Sequence, residues 1–241
     1  MAAEARWLVH RNQAFWFEYL QDSGTVFVQI NQATTDPDNP WNPQHDRYRE
    51  FLDQVFGLVD ANPVQRLVID LRHNGGGDED MWQPLVHHIV RAQKINQPGR
   101  IFVLIGRLTE SASVAWAAKL EGETMALFAG EPTASPPNYY NDHDGPKREV
   151  FHFAGLPINY RISRQLDIWS VSDDLRTAIL PDFATPMRYE DFANGVDRAL
   201  EVVLRVDPAH AKAYFTTEEG EDVTDKPLSH YLRKSQAAAV P

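Results

Sequence analysis

Leu67-Val68-Ile69-Asp70-Leu71-Arg72-His73-Asn74-Gly75-Gly76-Gly77 is the stretch on which the fold turns. A short apolar run without polar alternation suits a strand covered on both faces. The glycines that follow let the backbone take positive φ, so their N–H groups can converge on an anion. Downstream, Met81, Leu85, Val86, Ile89 and Val90 recur at helical spacing, and Ile101-Phe102-Val103-Leu104-Ile105 is a second apolar run. The order is strand, glycine turn, helix, strand. A helix from about Ser111 to Leu120 and a third buried strand, Met125-Ala126-Leu127-Phe128-Ala129, repeat the unit. Repeated βα units predict an α/β fold with a parallel or mixed sheet and right-handed crossovers.

Upstream, Phe15-Trp16-Phe17-Glu18-Tyr19-Leu20 and Thr25-Val26-Phe27-Val28-Gln29-Ile30 flank Asp22-Ser23-Gly24, which predicts a β-hairpin. Residues 34–43 read as a loop. Tyr48, Phe51, Leu52, Val55, Phe56 and Val59 then mark an amphipathic helix, with Asn42 as N-cap, Pro43 at its first position and Asn62-Pro63 as its stop. Beyond the third strand, residues 130–145 predict a long irregular loop. Residues 149–153 and 157–162 suggest a hairpin around Ala154-Gly155, and Val196 to Leu204 a last helix. The domain is expected to span residues 1–205, with 206–241 a loosely ordered tail.

The 241 residues are 43% hydrophobic and 24% charged, which suits one globular domain and argues against intrinsic disorder. With no cysteine, a disulfide framework, a thiolate metal site and a cysteine nucleophile are excluded. The 34 acidic against 23 basic side chains, a formal charge of −11, oppose a broad nucleic-acid footprint. The N-terminus, Met1 to Arg6, is short and polar, and no apolar run reaches a membrane span of about 18 residues. The expectation is a soluble, cytoplasmic chain, with an exported form or a missing upstream domain left open.

Two segments could carry chemistry. The turn Asp70 to Gly77 is not a nucleotide P-loop, because no lysine followed by Ser or Thr succeeds the glycines, and G-x-G-x-x-G is absent. Taken alone it reads equally as a flexible strand-to-helix turn. In Gly106-Arg107-Leu108-Thr109-Glu110-Ser111-Ala112-Ser113, a serine opens a helix, where free N–H groups favour a developing oxyanion. The competing reading is helix capping. The segment is not a G-x-S-x-G elbow, which argues against the α/β-hydrolase fold. At one sheet edge the two segments would give a nucleophile flanked by amide donors from two loops, as acyl transfer requires.

These two blocks, followed by Gly130-Glu131-Pro132-Thr133 and Pro181-Asp182-Phe183, resemble in order and spacing the core of the C-terminal-processing, or tail-specific, serine peptidases. The tricorn protease core is similar. The resemblance runs from about Val64 to Leu204. It implies a ClpP/crotonase-like core, Ser111 as nucleophile, and an oxyanion hole formed by the Ala112 amide and a glycine amide of Gly75 or Gly76. It implies a peptide or protein substrate and no cofactor.

Departures from that family define the open points. Tail-specific peptidases follow Gly-Glu-Pro-Thr closely with a Gly-Lys whose lysine is the general base, whereas this chain reads Ala134-Ser135-Pro136-Pro137-Asn138. The substrate-binding PDZ module has no room. The tricorn-like branch takes a histidine from before the core, where only His10 and His45 precede the glycine turn. As a substitute base His143 stands near the position of the missing lysine, with a surface histidine in a polar loop as the alternative. His73 borders the glycine turn and reads equally as packing. Lys119 lies about 12 Å along its helix from Ser111, too far for a direct base. Asp173-Asp174 falls where tricorn-like cores carry an acidic member, so Asp174 is the candidate acid; otherwise it is a solvated turn. Asn138 and Tyr140 are candidates to line a substrate groove. His87-His88 are adjacent rather than i, i+4, and no metal site is predicted.

The expected function is serine-type peptide hydrolysis through Ser111. The alternative is a non-catalytic peptide-binding relative that lacks the general base. A crotonase-like thioester reading ranks last, since nothing suggests an adenine or pantetheine site. A homo-oligomer is left open.

Overall fold

The computed structural model describes residues 5–38, 46–141, 151–152, 154–156, 159–160, 163 and 165–215. The elements are α1 (Arg6–Val9), β1 (Phe15–Leu20), β2 (Thr25–Ile30), α2 (Arg47–Ala61), β3 (Arg66–Asp70), α3 (Trp82–Arg91), β4 (Ile101–Ile105), α4 (Ala112–Glu123) and β5 (Ala126–Gly130). They continue with β6 (Asn138–Asn141), β7 (Phe151–His152), β8 (Asn159–Tyr160), β9 (Gln165–Ile168), β10 (Phe183–Ala184), α5 (Tyr189–Ala193), α6 (Arg198–Arg205) and α7 (Pro208–Ala211).

A six-stranded sheet in the order β1-β2-β3-β4-β5-β10 forms the centre. The expected hairpin is present: β1 and β2 are antiparallel, with Phe15 opposite Ile30 and Leu20 opposite Thr25. Every other pairing in the sheet is parallel. Strand residues alternate between two cores. Val28, Leu67, Ile69, Val103 and Phe128 pack in one core with residues of α2, α3 and α4. Phe27, Val68, Phe102, Leu104 and Leu127 pack in the other with Leu200 and Val203 of α6 and with Phe215. Burial on both faces is the physical reason that these strands read as unbroken apolar runs. Among the described residues no helix is long and apolar enough to cross a membrane.

Three local expectations change, and a fourth is met. Helix α2 is capped by Asp46, whose carboxylate accepts the Arg49 N–H at 3.0 Å. Asn42 and Pro43 lie outside the described residues. The loop expected over 130–145 contains β6, which pairs antiparallel with β9. Neither strand has an apolar run, because the ribbon is largely exposed, so composition carried no signal for it. The expected hairpin around Ala154-Gly155 is present as a two-residue pairing of β7 with β8. Finally, the packed chain continues past residue 205: Ala211 and Phe215 are 1% and 0% exposed. Two apolar side chains in a polar segment suffice to dock this turn, and Asp207 caps α7 ahead of Pro208.

Candidate active site

The parallel strands β3, β4 and β5 end at one edge, and the turns that leave them are laced together. The Thr109 hydroxyl donates to the Leu71 carbonyl at 2.9 Å and accepts the Gly106 N–H at 3.0 Å. The Ser113 hydroxyl donates to the Asn74 carbonyl at 2.6 Å and accepts the Glu110 N–H at 2.8 Å. Both side chains are fully buried, so water does not compete for these bonds. The turn after β3 is thereby held against the turn after β4. It is also anchored from β2's end, since Ala33 donates to the Gly76 carbonyl and accepts from the Asp78 N–H.

Within this frame Ser111 takes φ 56° and ψ −128°, and it is the only non-glycine residue at positive φ among the described residues. Such a conformation costs about 1–3 kcal/mol and persists only where the surroundings over-determine it. Capping does not account for it. The Ser111 side chain makes no cap hydrogen bond to α4, and Ser113 is the serine whose hydroxyl receives the loop N–H. Ala112 follows as the first residue of α4, where a helix leaves its N–H unpaired by geometry. A Cβ placed on Gly76, itself at φ 106°, would lie 2.7 Å from Ser111 Cβ and 3.1 Å from the Ala112 nitrogen. Only a glycine lets the β3 turn approach this closely.

Of the two glycine amides expected to hold an oxyanion, the Gly76 N–H is engaged with Asn74 Oδ1 at 2.9 Å. Gly75 N–H and Ala112 N–H have no hydrogen-bond partner among the described residues. A polar cleft of about 330 Å³, walled by Arg11, Gln13, Asn31 and Gln32, opens onto Gly75 and Gly76.

The other candidates separate. His143 and His45 lie outside the described residues. Asp174 is held in an ion-pair cluster. Its carboxylate accepts from Ser170 and from Arg176, and Arg176 reaches on to Glu121 near the far end of α4. Glu121 is about 15 Å along the helix from Ser111. Asp174 thus ties the segment after β9 to α4, a buried ion-pair role that a loop Asp pair does not announce in sequence. Asn138 is likewise structural: its Oδ1 accepts the Trp169 and Ser170 N–H groups, and its Nδ2 donates to the Val171 carbonyl at 2.7 Å. Those bonds leave its amide no room for a groove ligand. Tyr140 is 65% exposed. Lys119 sits over the Trp82 ring and beside Glu123. His10 packs edge-on against Trp16.

Sequence reading missed Glu79, whose carboxylate accepts from the Tyr139 hydroxyl at 2.7 Å and from Asn141 Nδ2. It joins the segment after the glycine turn to β6. Burial first, then the Glu79 bond and charge, push the Tyr139 hydroxyl well above the ordinary tyrosine range, so it stays protonated and donates to Glu79.

His73 packs edge-on against Trp7, with ring centroids 5.0 Å apart. Burial pushes its imidazole below the ordinary 6.5; Asp70 opposes this, and Arg72 and Arg11 add to it. A folded state that protonates less readily than the unfolded chain loses stability as pH falls through that ordinary value. The contribution is intact above it. Melting temperatures of wild type and His73→Gln across pH 5–8 should show a smaller acid-side loss in the variant, and equal slopes would contradict this.

No family model matches the sequence, and no curated protein matches it. Solved structures do. An S41 protease candidate from Bacteroides fragilis NCTC 9343 superposes with a TM-score of 0.53 at 15% identity, over 79% of this chain and 56% of that one. A candidate peptidase from Parabacteroides merdae ATCC 43184 gives 0.49 at 15% identity, over 80% and 65%. A photosystem II D1 C-terminal processing protease gives 0.48 at 17%, over 80% and 52%. The chain therefore spans little more than half the length of the first of these. At such identities the first likeness establishes a shared α/β core and nothing beyond the fold.

Proposed function

We propose that this chain is a serine-type peptidase core in which Ser111 Oγ attacks a peptide carbonyl. The observation that carries the reading is the positive-φ backbone of Ser111, strain without a capping role, set beside two unengaged amides at a glycine turn. The Oγ–C bond forms as the carbonyl π pair moves to oxygen, and the Ala112 and Gly75 N–H groups hold that oxyanion. Collapse breaks the C–N bond. The amine leaves with the proton taken from Oγ, and water then cleaves the acyl-enzyme. His143 is the proposed carrier of that proton. The polar cleft beside Gly75 supports an extended peptide as the ligand.

A fluorophosphonate probe tests this directly. Wild-type protein should gain one covalent adduct on Ser111, and Ser111→Ala none; an unlabelled wild type with its fold intact sinks the peptidase reading. A second reading, peptide binding without turnover, is favoured by a specific observation: Ser111 Oγ has no hydrogen-bond partner among the described residues. It predicts equal peptide affinity for wild type and Ser111→Ala and no cleavage product by mass spectrometry.

A further inference from the structure

The wall of the cleft beside Gly75 and Gly76 is fixed by a buried polar relay. Gln29 of β2 is fully buried. Its Nε2 donates to the Trp7 carbonyl at 2.9 Å and to Asn31 Oδ1 at 2.8 Å, and its Oε1 accepts the Trp16 indole N–H at 3.0 Å. Asn31 Nδ2 in turn donates to the carbonyls of His10 and Gln13, at 3.3 and 2.8 Å. One amide thus clasps the chain on either side of Arg11 and Asn12. Burying an amide is costly unless its polar atoms are bonded, and these bonds hold the segment before β1 in place at the cleft.

Arg11 is the one charged residue among those that line the cleft; the rest are amides, alanine and glycine. Its side chain is exposed and has neither a hydrogen bond nor an ion pair among the described residues. Carboxylates are in surplus in this chain, 34 acidic side chains against 23 basic, and neighbouring arginines have taken them: Arg6 pairs with Glu18, and Arg72 with Asp70 and Asp197. The Arg11 charge also reaches the glycine turn, where it works with Arg72 against protonation of His73. A guanidinium offers a planar fork of donors that matches a carboxylate.

We infer that Arg11 selects peptides with an acidic residue, its guanidinium pairing with the carboxylate of an aspartate or glutamate side chain held in the cleft beside Gly75. This rests on the reading of that cleft as the place of an extended peptide. The amides of the wall carry no charge, so Arg11 alone sets the sign of the preference.

Titration of the full chain carrying Ser111→Ala, which cannot turn peptide over, reads the preference as binding. The probes are alanine pentapeptides, acetylated and amidated so that no terminal charge remains, with a glutamate placed at each position in turn, and the matching glutamine peptides. At low ionic strength the glutamate peptide should bind about fivefold tighter than its glutamine partner at one position, the upper end of an exposed ion pair's worth. Added salt should shrink the difference. Arg11→Gln should bring the two within about twofold, Arg11→Lys should keep part of the difference, and Arg11→Glu should reverse it. Lost packing alone does not reverse a charge preference. Because the Arg11 side chain is exposed, these variants should melt as the parent chain does. The proposal is overturned if no peptide binds saturably, if glutamate and glutamine peptides bind alike at every position, or if the preference survives Arg11→Gln. It is also overturned if the gain belongs instead to an alanine peptide with a free terminal carboxylate and no acidic side chain. Fluorophosphonate labelling tests Ser111 separately: a labelled chain without the glutamate preference keeps the peptidase reading and loses this one, and the preference without labelling does the reverse.

Discussion

Gly76→Ala abolishes fluorophosphonate labelling of Ser111, whereas Gly75→Ala leaves it within a few-fold of wild type: this contrast is the expected result at the site. The new Cβ at Gly76 would stand 2.7 Å from Ser111 Cβ, and 3.1 Å from both the Ala112 nitrogen and the Glu110 carbonyl. Ser111 is fixed by its own backbone and cannot yield without losing its conformation. The turn would have to withdraw, and Gly76 at φ 106° resists a side chain in any case. A displacement of about 1 Å at a reacting group costs on the order of 100-fold in rate. At Gly75 a Cβ meets nothing within 4 Å. Labelling rates measured under pseudo-first-order conditions separate the two variants. Equal loss in both would mean that the turn is merely fragile and that Gly76 has no special relation to Ser111.

The largest effect on stability is expected at Arg72. Its guanidinium bonds Asp70 at 2.7 and 3.0 Å and Asp197 at 2.8 and 2.9 Å. Asp70 is fully buried and Asp197 8% exposed. Burial works against the charge on Arg72, yet the two carboxylates outweigh it and hold the guanidinium above its ordinary pKa. Arg72→Met leaves two buried carboxylates facing each other with no cation. The cost of such a broken buried pair is about 3–5 kcal/mol, read from urea unfolding. Adding Asp70→Asn and Asp197→Asn should recover most of it, because the uncompensated charge, rather than the lost bonds, carries the penalty. A loss below about 1 kcal/mol in Arg72→Met, the worth of an exposed pair, would show that solvent reaches the cluster.

Arg72 also shows why part of the site is unreadable in sequence. Asp70 and Arg72 belong to the quoted run, but Asp197 lies beyond the last strand and doubles as the cap of α6. Asp174 illustrates the same limit. An Asp pair in a polar segment looks solvated, and only the passage of the chain along α4 lets Arg176, two residues on from Asp174, reach Glu121. Asn138, read as a groove residue, folds its amide back onto the segment that follows β9. In each case a side chain finds a partner dozens of residues away, and no local pattern records that distance.

The apolar runs and their spacing determined the α/β core, its parallel strands and its antiparallel hairpin, because burial on one face or two leaves a direct periodic mark on a strand or helix. The glycine triplet and the serine opening α4 were legible for the same reason: backbone freedom and helix starts are local properties. Tertiary structure alone decided that Gly76 touches Ser111, that Ser113 rather than Ser111 serves the loop hydrogen bonds, and that Ser111 is held at positive φ. Strain of this kind is an unfavourable local choice. It is sustained by contacts from another turn, so the serine's own neighbours in sequence could not disclose it.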